Sequence, residues 1–422
     1  MSRPVVLVSL DWQRPHDPRR SLGAASLLAS LKQAAVSTVL VEDAVNHSGF
    51  DRAQLVARVD AALAGAGERP ILAIGAFIWN EAEVQHLLQV FASTYDIVLG
   101  GPQISFAAPG TLEAAYPGAW AFVRGQGEAA IVAVACETDV EGEHGVHRAG
   151  AADAGARADA SLEDRPSPYL TGVIEASPTV RWETQRGCPY VCSFCQHREA
   201  GSRLKNRYFL GDRLEQEIAL FAQRGVKRIS VLDPVFHSDS RRAVAVLQRM
   251  KEVGLTALLS IQCRFETVTD EFLDALEGLN VHLEFGLQTA IPEEAKAIQR
   301  PNKMNKVDRV IGELGRRGIS YEVSLIYGLP HQTLESFRES VGWCLERHVP
   351  TVRAWPLMLL RNTPLSADRA NWGYVEEDFD GIPLVVQSRS FSRADWDQMS
   401  ALAATLPDRD RAQRTVALGG AK

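Results

Sequence analysis

The 422-residue chain has no long apolar run, no block of basic residues and few cysteines. Its longest apolar stretch, around Ile71 to Trp79, is far shorter than the roughly 20 residues that a membrane-spanning helix needs. Lysine and arginine together number 45 against 52 aspartates and glutamates, which gives a net charge of −7. A mildly acidic chain of this kind is poorly suited to bind nucleic acid. We therefore expect neither a membrane nor a nucleic acid as a partner.

The first apolar run, Val5 to Leu10, ends at Asp11 and is too short for the core of a secretory signal. We therefore expect a cytoplasmic protein, in which thiols stay reduced and the six cysteines are not paired in disulfides. Cys188, Cys192 and Cys195 crowd into eight residues, whereas the other three cysteines stand alone. This uneven distribution is the most informative feature of the composition.

Residues 1–136 alternate short apolar runs with segments whose apolar residues have helical spacing. This alternation predicts a doubly wound, Rossmann-like α/β domain, in which ligands bind beyond the carboxyl ends of parallel strands. Two glycine-rich turns follow predicted strands, Gly100-Gly101-Pro102 and Gly125-Gln126-Gly127-Glu128. Glycine lets a backbone approach a ligand closely, although tight strand-to-helix turns alone also explain both sequences. Neither turn has the G-x-G-x-x-G spacing, so a nicotinamide cofactor is disfavoured.

The rest of the chain falls into three parts. Residues 137–177 lack any regular apolar period and predict a flexible linker. Residues 178–360 contain six strand–helix units, which predict a partial (β/α)6 barrel with its chemistry at the carboxyl ends of the strands. Residues 361–422 predict a small α+β cap. Polar residues mark the ends of the predicted barrel strands, and each alone is also explained as a solvated loop residue or a helix cap: Asp233, Gln262, Arg264, Glu284, Gln288 and Tyr327.

The three clustered cysteines have the spacing C-x3-C-x2-C, so their thiolates can converge on one metal centre. A structural zinc ion takes four ligands, and with no second cysteine pair it would need His197 or His237 to complete its site. A [4Fe–4S] cluster uses one thiolate per iron. Three thiolates would therefore leave one iron open to an exogenous ligand, which is a catalytic rather than an electron-carrying arrangement.

With Phe194 just before the third cysteine, this spacing resembles the signature of the radical S-adenosylmethionine (SAM) superfamily. The resemblance implies that Cys188, Cys192 and Cys195 hold a [4Fe–4S] cluster whose open iron chelates SAM. It further implies an external electron donor of the flavodoxin or ferredoxin type, and cleavage of SAM to a 5′-deoxyadenosyl radical.

Two strand-end sequences are similar to superfamily motifs, Gly286-Leu287-Gln288-Thr289 and Tyr327-Gly328-Leu329-Pro330. By this likeness Glu284 and Gln288 would bind the ribose or aminoacyl group of SAM, and Arg264 its carboxylate. The resemblance implies that the following residues bind SAM: Phe194, Gln196, Asp233, Gln262, Arg264, Glu284, Gln288 and Tyr327.

A doubly wound domain ahead of such a core resembles the cobalamin-binding class of the superfamily. The likeness covers nearly the whole chain, including Ser21-Leu22-Gly23, Gly75 to Asn80, both glycine turns and Pro166-Ser167-Pro168-Tyr169. It implies cobalamin contacts from Phe77, Trp79, Gly100, Gly101, Pro102, Gly125 and Gly127. The D-x-H-x-x-G pattern of an axial histidine is absent, since Asp11 and His16 are five positions apart. The lower face of the cobalt thus has no assigned ligand. A domain of this type that no longer binds cobalamin is an alternative.

The resemblance implies a cobalamin-dependent methyltransferase that acts on an unactivated carbon, or a similarly poor nucleophile, of a small molecule. One alternative is a cobalamin-independent radical SAM enzyme that rearranges or closes a ring or transfers the 3-amino-3-carboxypropyl group of SAM. Another is a non-catalytic, metal-stabilised binding protein. The sequence does not name the substrate.

Overall fold

The computed structural model describes residues 2–14, 17–18, 20–136, 145–158, 162–197, 207–209 and 212–406. The chain forms two compact units. The amino-terminal unit comprises Met1–Arg181, Phe209–Leu220 and Asp380–Ile382, and the carboxy-terminal unit comprises Trp182–Tyr208, Phe221–Phe379 and Pro383–Lys422. Among the described helices, none has the length and apolar character needed to cross a membrane.

The amino-terminal unit is built around one six-stranded sheet. Its strands are β1 (Val5–Asp11), β2 (Thr38–Ala44), β3 (Ile71–Gly75), β4 (Asp96–Gly100), β5 (Ala121–Val123) and β6 (Val146–Arg148). Its helices are α1 (Leu22–Gln33), α2 (Arg52–Gly65), α3 (Glu81–Phe91), α4 (Pro102–Ser105), α5 (Leu112–Ala115) and α6 (Gly127–Ala135). The strand order is β2-β1-β3-β4-β5-β6, parallel except for β6.

The two faces of this sheet are both covered. Val6, Val8 and Leu10 of β1 pack in one cluster with α2, α3 and α5, whereas Val5 and Leu7 pack in another with α1 and α6. A strand buried on both sides needs a continuous apolar run, which explains the sequence of β1. The predicted doubly wound sheet is confirmed. Because β1 and β3 are neighbours whose following helices lie on opposite faces, the crevice between their carboxyl ends is the switch point of the sheet.

The prediction of a flexible linker over 137–177 needs correction. Within it, β6 pairs antiparallel with β5, with Val146 and His147 buried. The His147 ring stacks on Phe122 at 5.7 Å between ring centroids. A strand of three residues with one apolar side chain covers an otherwise open sheet edge, yet it is too short to show a regular apolar period. Residues 137–144, which include His144, and 159–161 lie outside the described residues.

The second sheet has the strand order β14-β13-β12-β11-β10-β7, and neighbouring strands from β10 to β14 are parallel. The strands that follow the first sheet are β7 (Thr179–Trp182), β8 (Gln185–Arg186), β9 (Arg207–Tyr208), β10 (Arg228–Val231), β11 (Leu258–Cys263), β12 (Val281–Gln288), β13 (Ser320–Tyr327), β14 (Val352–Pro356), β15 (Val375–Phe379) and β16 (Ile382–Gln387). The helices are α7 (Arg213–Gln223), α8 (Ser240–Glu252), α9 (Asp270–Leu276), α10 (Pro292–Ala297), α11 (Met304–Arg317), α12 (Leu334–Glu346), α13 (Pro364–Ala367), α14 (Arg369–Trp372) and α15 (Arg393–Ala404).

This second sheet is the predicted six-stranded partial barrel, since its end strands β14 and β7 are not paired with each other in the described structure. The β15–β16 hairpin and α15 supply the predicted α+β character of the last segment. Burial alternates along β12, where Leu283, Phe285 and Leu287 are buried. Glu284 and Gln288 belong to the opposite face.

Candidate functional site

The three clustered cysteines lie on a loop between β8 and β9, and backbone hydrogen bonds connect this loop to other parts of the carboxy-terminal unit. Gly187 has a φ of +95°, which favours glycine at the start of the loop. Ser193 N donates to Ile298 O at 2.9 Å, and Ser193 O accepts from Leu365 N at 3.1 Å. The Cys188 and Cys192 side chains are buried, and Cys195 is partly exposed. The loop is therefore held in place by its own backbone hydrogen bonds.

Burial, with a smaller contribution from the neighbouring thiols, raises the pKa of the Cys188 thiol and raises the pKa of Cys195 to about 11. Within the described ranges no three His, Cys, Asp or Glu side chains are grouped tightly enough to hold a single metal ion. A [4Fe–4S] cluster spreads its thiolates over separate irons, so thiols that interact without meeting at one point suit it better than zinc.

Two buried guanidinium groups face the second cysteine. Nη1 of Arg264 lies 3.9 Å from Cys192 Sγ, and Nη1 of Arg300 lies 3.6 Å from the same sulfur. Arg300 also donates through Nη2 to Gly286 O, while its buried Nε has no hydrogen-bond partner among the described residues. Ser193 Oγ is likewise buried without a partner. Cations and unsatisfied donors beside three thiols suit a negatively charged group that binds there.

Arg264 is fixed from three sides. Its Nε donates to Glu266 Oε2 at 2.9 Å, and its guanidinium carbon lies 3.8 Å from the centre of the Tyr190 ring. Its carbonyl oxygen lies 3.1 Å from His237 Nε2, which is also 2.7 Å from Thr267 Oγ1. Burial lowers the pKa of His237 to about 4, so the ring is neutral near pH 7. Among the described residues, His237 is not grouped with the cysteines in the way that a shared zinc site would require.

Gln288 joins this group because β12 ends in a bulge. The register with β13 shifts between Gly286 and Gln288, and Gln288 has a φ of +72°. Its side chain folds back so far that a Cβ on Gly286 would lie 2.5 Å from Gln288 Nε2 and 3.4 Å from Arg300 Nη2. The bulge therefore brings the Gln288 amide beside Arg300. This arrangement needs the space that the missing side chain of Gly286 leaves.

Gln262 and Glu284 are register neighbours on β11 and β12. Both lie on the face opposite to the buried residues of these strands. Gln196 on the cysteine loop donates through Nε2 to Arg361 O at 2.9 Å, and Phe194 beside it is half-buried. The contacts of these four residues with SAM stay predictions.

Two of the residues predicted to bind SAM are held by contacts within the protein. The fully buried carboxylate of Asp233 accepts hydrogen bonds from Thr184 N at 2.8 Å, Gln185 N at 3.2 Å and Thr184 Oγ1. Burial raises the pKa of Asp233 to about 6, and its role is to anchor the strand exit that leads to the cysteines.

The side chain of Tyr327 packs against helices. Its ring centroid lies 5.7 Å from that of Phe337 on α12 and 5.8 Å from that of Trp396 on α15. Tyr327 therefore packs on the helix side of the sheet, because it has the same strand parity as the buried Val323 and Leu325. Its contact with SAM stays a prediction.

Arg300 is a residue of this site that the sequence alone does not single out. It follows α10 and lies twelve positions beyond Gln288 in the chain, and only the fold returns it to Gly286 and Cys192. A basic residue before Pro301 was the sole signal in the sequence, and it is too common to single out.

In the amino-terminal unit, the two predicted aromatic residues lie at the switch point after β3. The rings of Phe77 and Trp79 stack at 4.6 Å between centroids, and Trp79 Nε1 donates to Leu10 O of β1 at 3.0 Å. Both side chains are partly exposed. His16, from the loop that follows β1, lies outside the described residues.

The glycine turns are explained by contacts within the unit. A Cβ on Gly101 would lie 2.7 Å from Ala76 O, and one on Gly125 would lie 2.5 Å from Ala158 O. A Cβ on Gly127 would lie 3.1 Å from the Leu27 side chain. The tight-turn interpretation therefore accounts for these three glycines, while Gly100 and Pro102 complete the turn at the carboxyl end of β4.

Residues 182–344 match the family model of the radical SAM superfamily, so the chain contains a radical SAM domain. Such a domain uses a [4Fe–4S] cluster and SAM, and the buried cations and unpaired donors beside the three thiols fit both groups. The resemblance drawn from the cysteine loop is confirmed.

Two relatives extend the similarity. The 2-(S-pantetheinyl)-carbapenam-3-carboxylate methyltransferase of Streptantibioticus cattleyicolor is 27% identical over 401 residues, which are 83% of this chain and 58% of that protein. The cobalamin-dependent radical SAM methyltransferase TokK of Streptomyces tokunonensis is 28% identical over 345 residues, 74% of this chain and 50% of TokK. The chain thus spans about half the length of these relatives. The radical SAM methyltransferase TsrM of Kitasatospora setae, solved with tryptophan and a SAM analogue, shares the fold with a TM-score of 0.75 at 17% identity, over 97% of this chain and 90% of TsrM.

Proposed function

We propose that the protein is a cobalamin-dependent radical SAM methyltransferase acting on a poorly nucleophilic carbon of a small molecule. The observation that carries the proposal is the loop of three thiols faced by two buried guanidinium groups. That loop shares a chain with a doubly wound domain whose switch point carries an aromatic stack. Both sequence relatives described above are named as methyltransferases, and one of them is named as cobalamin-dependent.

When bound, the cluster supplies one electron that cleaves SAM, and cobalamin supplies the methyl group. Cys188, Cys192 and Cys195 hold three irons as thiolates, and Arg264 and Arg300 offset the negative charge that this places in a buried loop. The unpaired Nε of Arg300 and the Gln288 amide beside it bind the aminoacyl end of SAM. Asp233 acts at a distance by fixing the backbone at Thr184.

In the amino-terminal unit, the stacked Phe77 and Trp79 rings offer a flat apolar surface to a corrinoid. The turns at Gly100 to Pro102 and at Gly125 to Gly127 lie at the carboxyl ends of β4 and β5, the edge at which such sheets bind ligands. An external protein of the flavodoxin or ferredoxin type provides the electron.

The test is anaerobic reconstitution with iron, sulfide and hydroxocobalamin, followed by reductant and SAM. We expect S-adenosylhomocysteine from methylation of the corrinoid, formed only when corrinoid is present, together with 5′-deoxyadenosine. The C192A variant should form neither product, whereas C136A, which removes an exposed cysteine, should behave like the wild type. Methylthioadenosine in place of both products would instead indicate transfer of the carboxypropyl group, and a protein without iron–sulfur absorption would refute the proposal.

A further inference from the structure

The buried Asn80 connects the ends of two strands at the switch point. It precedes α3, where an asparagine commonly caps the first turn of the helix, yet its side chain makes no such cap. Nδ2 instead donates to Leu10 O at the end of β1, at 3.0 Å, and to Gly75 O at the end of β3, at 2.9 Å. Oδ1 accepts from Phe77 N at 2.8 Å. One amide thus joins both sides of the crevice.

These contacts determine where the aromatic stack lies. Phe77 is held through its own N–H, and Trp79 donates to the same Leu10 carbonyl that accepts from Asn80. Asn80 is only 1% exposed, so loss of its amide removes, in a buried place, the side-chain donor of Gly75 O, one of the two side-chain donors of Leu10 O and the acceptor of Phe77 N. The stack would then keep only the hydrogen bond from Trp79 Nε1 to Leu10 O as its connection to the end of β1.

We propose that Asn80 is a positioning residue for the corrinoid, acting by holding the Phe77–Trp79 stack against the end of β1. This inference rests on the proposed function, because it needs a corrinoid bound at the switch point. It goes beyond that function by assigning the geometry of the platform to a side chain that is too deeply buried to act as a platform itself.

The test is titration of the cluster-reconstituted protein with hydroxocobalamin, followed by its visible absorption. N80S is the central variant because serine is a favoured helix cap, which offsets the cost to stability while the ties to Leu10 and Gly75 are lost. We expect N80S and N80A to bind hydroxocobalamin at least about tenfold more weakly than the wild type, with altered corrinoid bands.

The matched control is Q85A on the same helix, which removes an exposed amide that donates to Ala115 O and should leave binding unchanged. W79F keeps a ring but loses the bond to Leu10 O, so it should weaken binding less than N80S. The W79F/N80S double variant loses both hydrogen bonds to Leu10 O and should bind hydroxocobalamin more weakly than either single variant.

Equal affinity and identical corrinoid bands in N80S and the wild type would overturn the inference. A wild-type protein that does not bind hydroxocobalamin would instead refute the proposed function. In every variant the iron–sulfur absorption and the formation of 5′-deoxyadenosine from SAM should persist, and their joint loss would show general misfolding rather than a positioning role.

Discussion

At the scale of the residue, the site depends on charges that burial makes strong. Arg264 and Arg300 are both more than nine-tenths buried beside Cys192, where a cation attracts thiolate and carboxylate far more strongly than at the surface. Arg264 is already paired with Glu266, whereas Arg300 keeps a buried Nε without a partner. Of the two, Arg300 is therefore the better candidate for a direct contact with SAM.

Replacing Arg300 tests this distinction. We expect R300A to retain the cluster but to raise the KM for SAM by about tenfold or more, because a charge-assisted hydrogen bond is lost. R300K keeps the charge without the planar fork and should fall in between. R309A, which breaks an exposed pair with Asp270, is the control and should change little. An unchanged KM in R300A, measured from 5′-deoxyadenosine formation, would argue against the contact.

His237 should make the protein sensitive to acid. Burial lowers its pKa from the ordinary histidine value of 6.5 to about 4 in the folded state, so the unfolded chain binds a proton more readily. Its contribution to stability is thus complete above pH 6.5 and is lost as the pH falls towards 4. By linkage this loss is about 2 kcal/mol between pH 7 and pH 5.

Urea unfolding at the two pH values checks this effect. H237Q should show a smaller difference in unfolding free energy between pH 7 and pH 5 than the wild type, while H348N, at an exposed histidine, should show the wild-type difference. Equal pH dependence in H237Q and the wild type would contradict the assignment.

At the scale of the element, the bulge at the end of β12 determines where Gln288 acts. A methyl group at position 286 would meet the far end of the flexible Gln288 side chain, which can move away at little cost. We therefore expect G286A to fold with nearly wild-type stability but to bind SAM as weakly as Q288A does.

The double variant sharpens this expectation. G286A/Q288A should be no worse than Q288A alone, because the alanine acts through the displaced amide. Affinity for SAM and thermal unfolding can be measured on the same reconstituted samples. Additive losses in the double variant would show that Gly286 matters for a different reason.

The sequence predicts the elements well because strand and helix periods are strong in this chain. It also predicts that the three clustered cysteines share one metal centre, because their spacing is visible within a short segment. Arg300 escapes it, since only the fold brings that side chain back to Gly286. The face of the sheet on which Tyr327 lies follows from strand parity, since Val323 and Leu325 have the same parity and are buried. Asp233 shows that a buried carboxylate at a strand exit can serve the backbone rather than a ligand.

At the scale of the whole molecule, the fold and the cluster are separable. The cysteine loop is held by backbone hydrogen bonds such as those of Ser193, and both sheets have extensive apolar cores. We expect the triple variant C188A/C192A/C195A to be colourless after reconstitution yet to keep the circular dichroism and cooperative unfolding of the wild type. Loss of cooperative unfolding in this variant would show that the metal is needed for folding, as in small zinc domains.

The hydrogen bonds from the cysteine loop to Arg361 and Leu365 matter for any attempt to transfer the radical SAM domain into another protein. A fragment cut at residue 344, where the family match stops, would lack β14 and both attachments. A fragment of the carboxy-terminal unit that keeps both hydrogen bonds must therefore extend past residue 365. Chimaeras whose junction lies before that residue should lose iron during purification.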